Sequence, residues 1–147
     1  MKRHLFAAIL LLLGGCEESG VYDVVNVRFF NLEDSDDLLL DEASEMLGME
    51  IAVVDNASPG DVVIFLDDSR NIGGWLDALS KCDKAGWSAK DPESLAHELG
   101  HALHLEHSED DENLMWEHVT AHDTNLLTDD QVDTMRRMAW HMHTQCD

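Results

Sequence analysis

Residues 97–107 read HELGHALHLEH. His97 and His101 are four positions apart, so on a helix their imidazoles stack on one face and can grip a single ion. Glu98 lies beside the first histidine. It is aimed at the same cleft without being a ligand, where a carboxylate can take a proton from metal-activated water. A third histidine, His107, follows six residues later. Three neutral imidazoles are a donor set that suits zinc and leaves one coordination position for water.

These residues need a helix, and the sequence supplies one. Asp91-Pro92 offers an N-cap followed by proline at the first helical position. At about 100° per residue, Leu95, Leu99, Ala102 and Leu103 fall on one side, with His97, His101 and His104 opposite. Ahead of this helix, residues 21–30 are rich in β-branched and aromatic types and predict a strand. Residues 36–47 have helical spacing and stop at Gly48, and residues 51–54 and 61–66 predict two further strands. Strand, helix, strand implies a crossover in a mostly parallel sheet. Residues 71–87 read as irregular and Gly-rich, with room for an edge strand that the pattern does not place. Thr128 to Gln131 forms a capping box, and the helix it opens puts Val132, Met135, Met138, Ala139 and Met142 on one face.

After His107 the chain continues Ser108-Glu109-Asp110-Asp111-Glu112-Asn113-Leu114-Met115. With the histidines before it, this stretch resembles the metzincin zinc metalloproteases, whose pattern is HExxHxxGxxH followed by a Met-turn. The matrixin branch is most similar, through Ser108, Asp110, Leu114 and Met115. The resemblance implies an α+β fold with a twisted mixed sheet, a crossover helix, an active-site helix, a Met-turn and a C-terminal helix. It implies one zinc on His97, His101 and His107, Glu98 as general base, and Met115 beneath the metal. The activity implied is endopeptidase action on protein or peptide substrates, an extended peptide adding to a sheet edge beside the cleft. Two positions depart from the pattern. His104 stands where the family has glycine, at a left-handed turn that returns the third histidine to the metal. Histidine is among the few non-glycine residues enriched in that conformation. Glu117 stands where some metzincins have a tyrosine, and the sole tyrosine of the chain is Tyr22. His118 and His122, four apart outside a helix pattern, and His141 and His143 on the last helix read as surface residues.

The N-terminus reads MKRHLFAAILLLLGGC, a charged start and a short apolar run. Its end at Cys16 resembles the bacterial lipobox. This implies a signal peptide over residues 1–15, lipid attachment at Cys16, and a single domain over residues 16–147. The localisation implied is the cell envelope, periplasmic or outer surface, with a membrane contact through the anchor. No long pro-segment separates Cys16 from the first strand, so no zymogen switch is expected. In an oxidising compartment the two remaining cysteines, Cys82 and Cys146, suggest one disulfide.

The charge balance is 9 Lys and Arg against 31 Asp and Glu, formally −22. Nucleic-acid binding is excluded, since phosphate contacts need a basic face. Glu109 to Glu112 offers clustered carboxylates of the kind calcium takes, without EF-hand spacing. A monomer is expected. The alternative to an active peptidase is a catalytically silent zinc-binding or acidic cation-binding lipoprotein, against which Glu98 argues.

Overall fold

The computed structural model describes residues 20–68, 73–78, 80–118 and 126–146. Cys16, the signal-like segment and His122 lie outside the described residues. Strand β1 (Val24–Phe30) leads through a 3-10 turn (Asp34–Asp36) into helix α1 (Asp37–Leu47). Strands β2 (Glu50–Val53) and β3 (Val62–Asp67) follow, then β4 (Gly74–Ala78) and β5 (Lys84–Ala89), helix α2 (Pro92–Ala102) and helix α3 (Asp129–Gln145). The sheet order is β2-β1-β3-β5-β4. All pairs are parallel except β4 with β5. The chain has an α+β metzincin-like architecture, as the resemblance implied.

Alternation places the core. Val25 and Val27 of β1, Ile51 of β2, and Val62, Ile64 and Leu66 of β3 are buried, facing the same core as Ala43 and Leu47 of α1 and Leu95 and Leu99 of α2. Met135, Met138, Ala139 and Met142 of α3 close it, with the capping box at Thr128 and Gln131 formed as expected. Gly48 ends α1 at φ 68°. Among the described residues no helix is long and apolar enough to cross a membrane.

The segment 71–87 is the main correction. It holds a complete edge strand, and an interior strand begins within it. The hydrophobic signal of that interior strand is inverted. On β5 the buried positions are Lys84, Gly86, Ser88 and Ala89, while Trp87 faces outward. Helix α2 packs against β4 and β5, so small inward residues fit there. Gly86 is required by close backbone approach, since a Cβ would lie 2.1 Å from the Trp75 carbonyl oxygen. On the outer face, Phe30, Phe65, Trp87 and Trp75 are register partners across four strands, and Phe30 and Phe65 stack at 4.4 Å. Such cross-strand aromatic pairs stabilise a sheet while remaining exposed.

Cys82 and Cys146 are bonded, with Cα atoms 5.4 Å apart, which ties the β4–β5 turn to the end of α3. His141 and His143 are not simply solvated. His141 has a ring nitrogen within 4.8 Å of both cysteine sulfurs, and His143 stacks on Tyr22 at 4.4 Å.

Candidate metal centre

Helix α2 begins as its sequence dictates, the Asp91 side chain accepting from the Ser94 amide at 2.9 Å with Pro92 behind it. Its end is where the sequence broke the family pattern. His104 takes φ 75°. The His104 amide donates to the His101 carbonyl at 3.0 Å, and the Leu105 amide donates to the Gly100 carbonyl at 2.9 Å. This pair of bonds is the Schellman closure, and it satisfies carbonyls that the helix end would otherwise leave open. The chain reverses at His104, and His107 comes back over the helix.

The reversal brings three imidazoles together. The Nε2 atoms of His97 and His107 each lie 3.1 Å from Nε2 of His101. Each helical histidine is oriented by a backbone carbonyl. His97 Nδ1 donates to the Leu114 carbonyl at 2.8 Å, and His101 Nδ1 donates to the Leu105 carbonyl at 2.8 Å. A carbonyl only accepts, so the proton of each neutral ring sits on Nδ1 and the Nε2 lone pair is bare. Bare lone pairs repel at 3.1 Å unless a cation lies between them. Ligands at ~2.0–2.1 Å in a tetrahedron stand roughly 3.3–3.4 Å apart, so the donor set fits zinc. Burial holds the two helical imidazoles neutral, pushing His97 down to about 4 and His101 below its usual range. Among the described residues no group of three carboxylates gathers closely enough for a cation, and calcium at residues 109–112 is unsupported. In that run Asp110 instead accepts from the Glu112 amide at 3.1 Å.

Glu98 is buried beside the histidines, in the same cleft, and burial pushes its carboxyl up to about 7. Met115 is fully buried, and its sulfur lies against Gly100, where a Cβ would come within 2.5 Å. The turn carrying Met115 is held by Asn113, whose Oδ1 accepts from the Met115 amide at 2.9 Å. Asn113 in turn donates to Gln131 at 2.8 Å, so the capping residue of α3 also braces the turn that orients His97.

Several contributors carry no signal in the sequence. Gly74, at the start of β4, lies against the Glu98 side chain, and a Cβ there would be 2.4 Å from its Cγ. Gly73 donates to Ser94 Oγ at 3.0 Å, fixing the edge strand to the first turn of α2. Lys84 is buried and donates to the Ala102 carbonyl at the other end of that helix. None of these has a local spacing signal, because each acts across a tertiary contact. Glu117 and His118 line the cleft, so His118 is exposed but not remote from the site.

The cleft is about 640 Å³ and runs between β4 and residues 117–118, over His97, Glu98, His101 and His107. The sequence matches the matrixin family over residues 17–138. No curated protein matches it. A solved structure with a similar fold is metalloproteinase-II from Bacteroides fragilis, at a TM-score of 0.54 and 15% identity. The match covers 80% of this chain and 54% of that one, so this chain spans about half the length of its structural neighbour.

Proposed function

The chain belongs to the matrixin family of metallopeptidases, and from that premise we propose that it is a zinc-dependent endopeptidase with Glu98 as its general base. The observation that carries this reading is the convergence of three imidazole Nε2 atoms, with Glu98 in the same cleft beside a strand edge.

His97, His101 and His107 would hold the zinc. Bound there, zinc supplies a Lewis acid that acidifies water and polarises a substrate carbonyl. Glu98 accepts a proton from the attacking water and returns it to the amide nitrogen as the C–N bond breaks. The hydrogen bonds of Leu114 and Leu105 keep both helical imidazoles aimed and in one tautomer. Among the described residues strand β4 pairs only with β5 and ends the sheet, so its outer edge offers backbone groups to an extended peptide. Gly74 to Ala78 would thereby align the scissile bond over Glu98.

The test is hydrolysis of a broad peptide mixture by the purified chain. Activity should vanish with a chelator and return with one equivalent of zinc. Activity that survives complete metal removal would contradict the reading. Export and lipid anchoring through Cys16, and a monomeric state, belong to the same proposal and are supported by sequence alone. A labelled fatty acid should enter the wild-type chain and not Cys16→Ala.

A further inference from the structure

Resting on the peptidase reading, we propose that the cleft contains an acidic subsite, with Glu117 as the residue that binds a lysine or arginine side chain of the substrate. Glu117 lies two residues beyond Met115, directly after a turn whose backbone is fixed. Met115 is fully buried, its carbonyl accepts from the Ser108 amide at 2.8 Å, and the Trp116 amide donates to the Asn113 carbonyl at 3.0 Å. Glu117 thus follows directly on a braced turn and lines the wall of the cleft, across from β4.

Among the described residues that line the cleft there is no lysine or arginine, and the two acids are Glu98 and Glu117. Glu98 is buried at the histidines, whereas Glu117 is exposed. The described cations lie elsewhere. Lys90 pairs with Asp68 and Asp36, Arg136 pairs with Asp23, and Lys84 is buried at the end of α2. No ion pair to Glu117 forms among the described residues, so its charge is available to a ligand.

The opposite wall suits the rest of such a side chain. Leu76 of β4, half-buried on the inner face of the strand, borders the same cleft. A lysine or arginine can lay its methylene stem on apolar surface and extend its charged head to a carboxylate. In an extended peptide, side chains on one face recur every ~6.6 Å, so a peptide laid along β4 would turn every second side chain toward the wall that carries Glu117. The net charge of −22 would attract any cationic peptide. At physiological salt, however, the Debye length is about 8 Å, so distant acids are screened while a carboxylate inside the cleft is not. Selection at one substrate position therefore needs Glu117 itself.

The experiment uses matched quenched-fluorescence peptides differing only in lysine or glutamine, placed at each of two positions on either side of the cleaved bond. With the zinc-loaded chain at 0.15 M salt, one lysine position should raise kcat/KM about tenfold, mainly through KM. Glu117→Gln should reduce that preference to within about twofold, and Glu117→Lys should reverse it in favour of glutamate. Asp55→Asn, an exposed change beyond the opposite edge of the sheet, should leave it intact. Cleavage without lysine preference, or a preference equal in wild type and Glu117→Gln, would overturn the subsite while leaving the peptidase standing. Binding of the same peptides to Glu98→Gln, followed by tryptophan fluorescence, gives a readout that does not need turnover. If no peptide is cleaved at all, the peptidase reading fails, and the lysine-to-glutamine affinity ratio in Glu98→Gln with and without Glu117→Gln still decides the subsite.

Discussion

The cleft is made where two differently built regions meet. From α2 through Met115 most of the functional side chains are sunk into the protein: His97, Glu98, Leu114 and Met115 are 0–6% exposed, His101 is half-buried and His107 is exposed, and hydrogen bonds to the Leu114 and Leu105 carbonyls orient the two helical histidines. The β4–β5 hairpin facing them is organised the other way. Its small residues point inward, its tryptophans point outward, with Trp75 56% exposed, and its position depends on pairing with β3 and on a disulfide to a residue 64 positions away. Packing fixes the proposed chemistry. Backbone pairing and one covalent tie fix the surface proposed to receive the peptide.

Breaking the covalent tie should have the largest effect on stability. Replacing both Cys82 and Cys146 by serine should lower unfolding stability by up to roughly 4 kcal/mol in the chain-entropy model. The hairpin should loosen first, while zinc affinity, set by the helix and turn, changes little. Denaturant unfolding together with zinc titration measures both. Equal losses in the two would mean that the regions are not held separately.

The next change acts where the regions touch. Gly74→Ala would place a Cβ 2.4 Å from Glu98 Cγ and displace the proposed base. A misplacement on the order of 1 Å costs about 10²-fold in rate. The expected result is a 10- to 100-fold fall in kcat with zinc still bound, read by steady-state kinetics and metal analysis.

What could be read beforehand follows the same division. HELGH, His107 and Met115 were visible because their geometry is encoded in spacing along a few residues. His104 was visible as a left-handed turn for the same reason, and it takes φ 75°. Strand β5 escapes an alternation reading because its buried face carries Lys84, Gly86 and Ser88 and its exposed face carries Trp87, and β4 has no fully buried position to mark it. Alternation is then present with its polarity reversed. Gly74, Lys84 and the Asn113–Gln131 brace matter through partners that only the fold supplies.

Lys84 gives a smaller, pH-dependent effect at the second junction. Burial pushes its ammonium down to about 8, below its unfolded value near 10.5. Between those values the unfolded chain holds more protons than the folded one, so this group makes stability rise with pH from about 8 to 10.5. Lys84→Met should remove that rise, roughly 1–3 kcal/mol, in denaturant midpoints measured at pH 7.5 and 10. Parallel curves for the two proteins would show the ammonium to be solvated.

The smallest effect expected is at His104. His104→Gly should keep zinc and activity and gain about 1 kcal/mol by relieving positive φ, whereas His104→Val should lose stability. Thermal unfolding of both variants checks this, and a destabilised glycine variant would give the imidazole a role beyond the turn.

Glu98→Gln, assayed for zinc and for peptide hydrolysis in one preparation, separates metal binding from proton transfer. The substitution keeps size and polarity but removes the base. If Glu98 is the base, the variant holds one zinc per chain, as in wild type, with hydrolysis reduced on the order of 10²–10⁴-fold. Wild-type turnover in that zinc-loaded variant would contradict it.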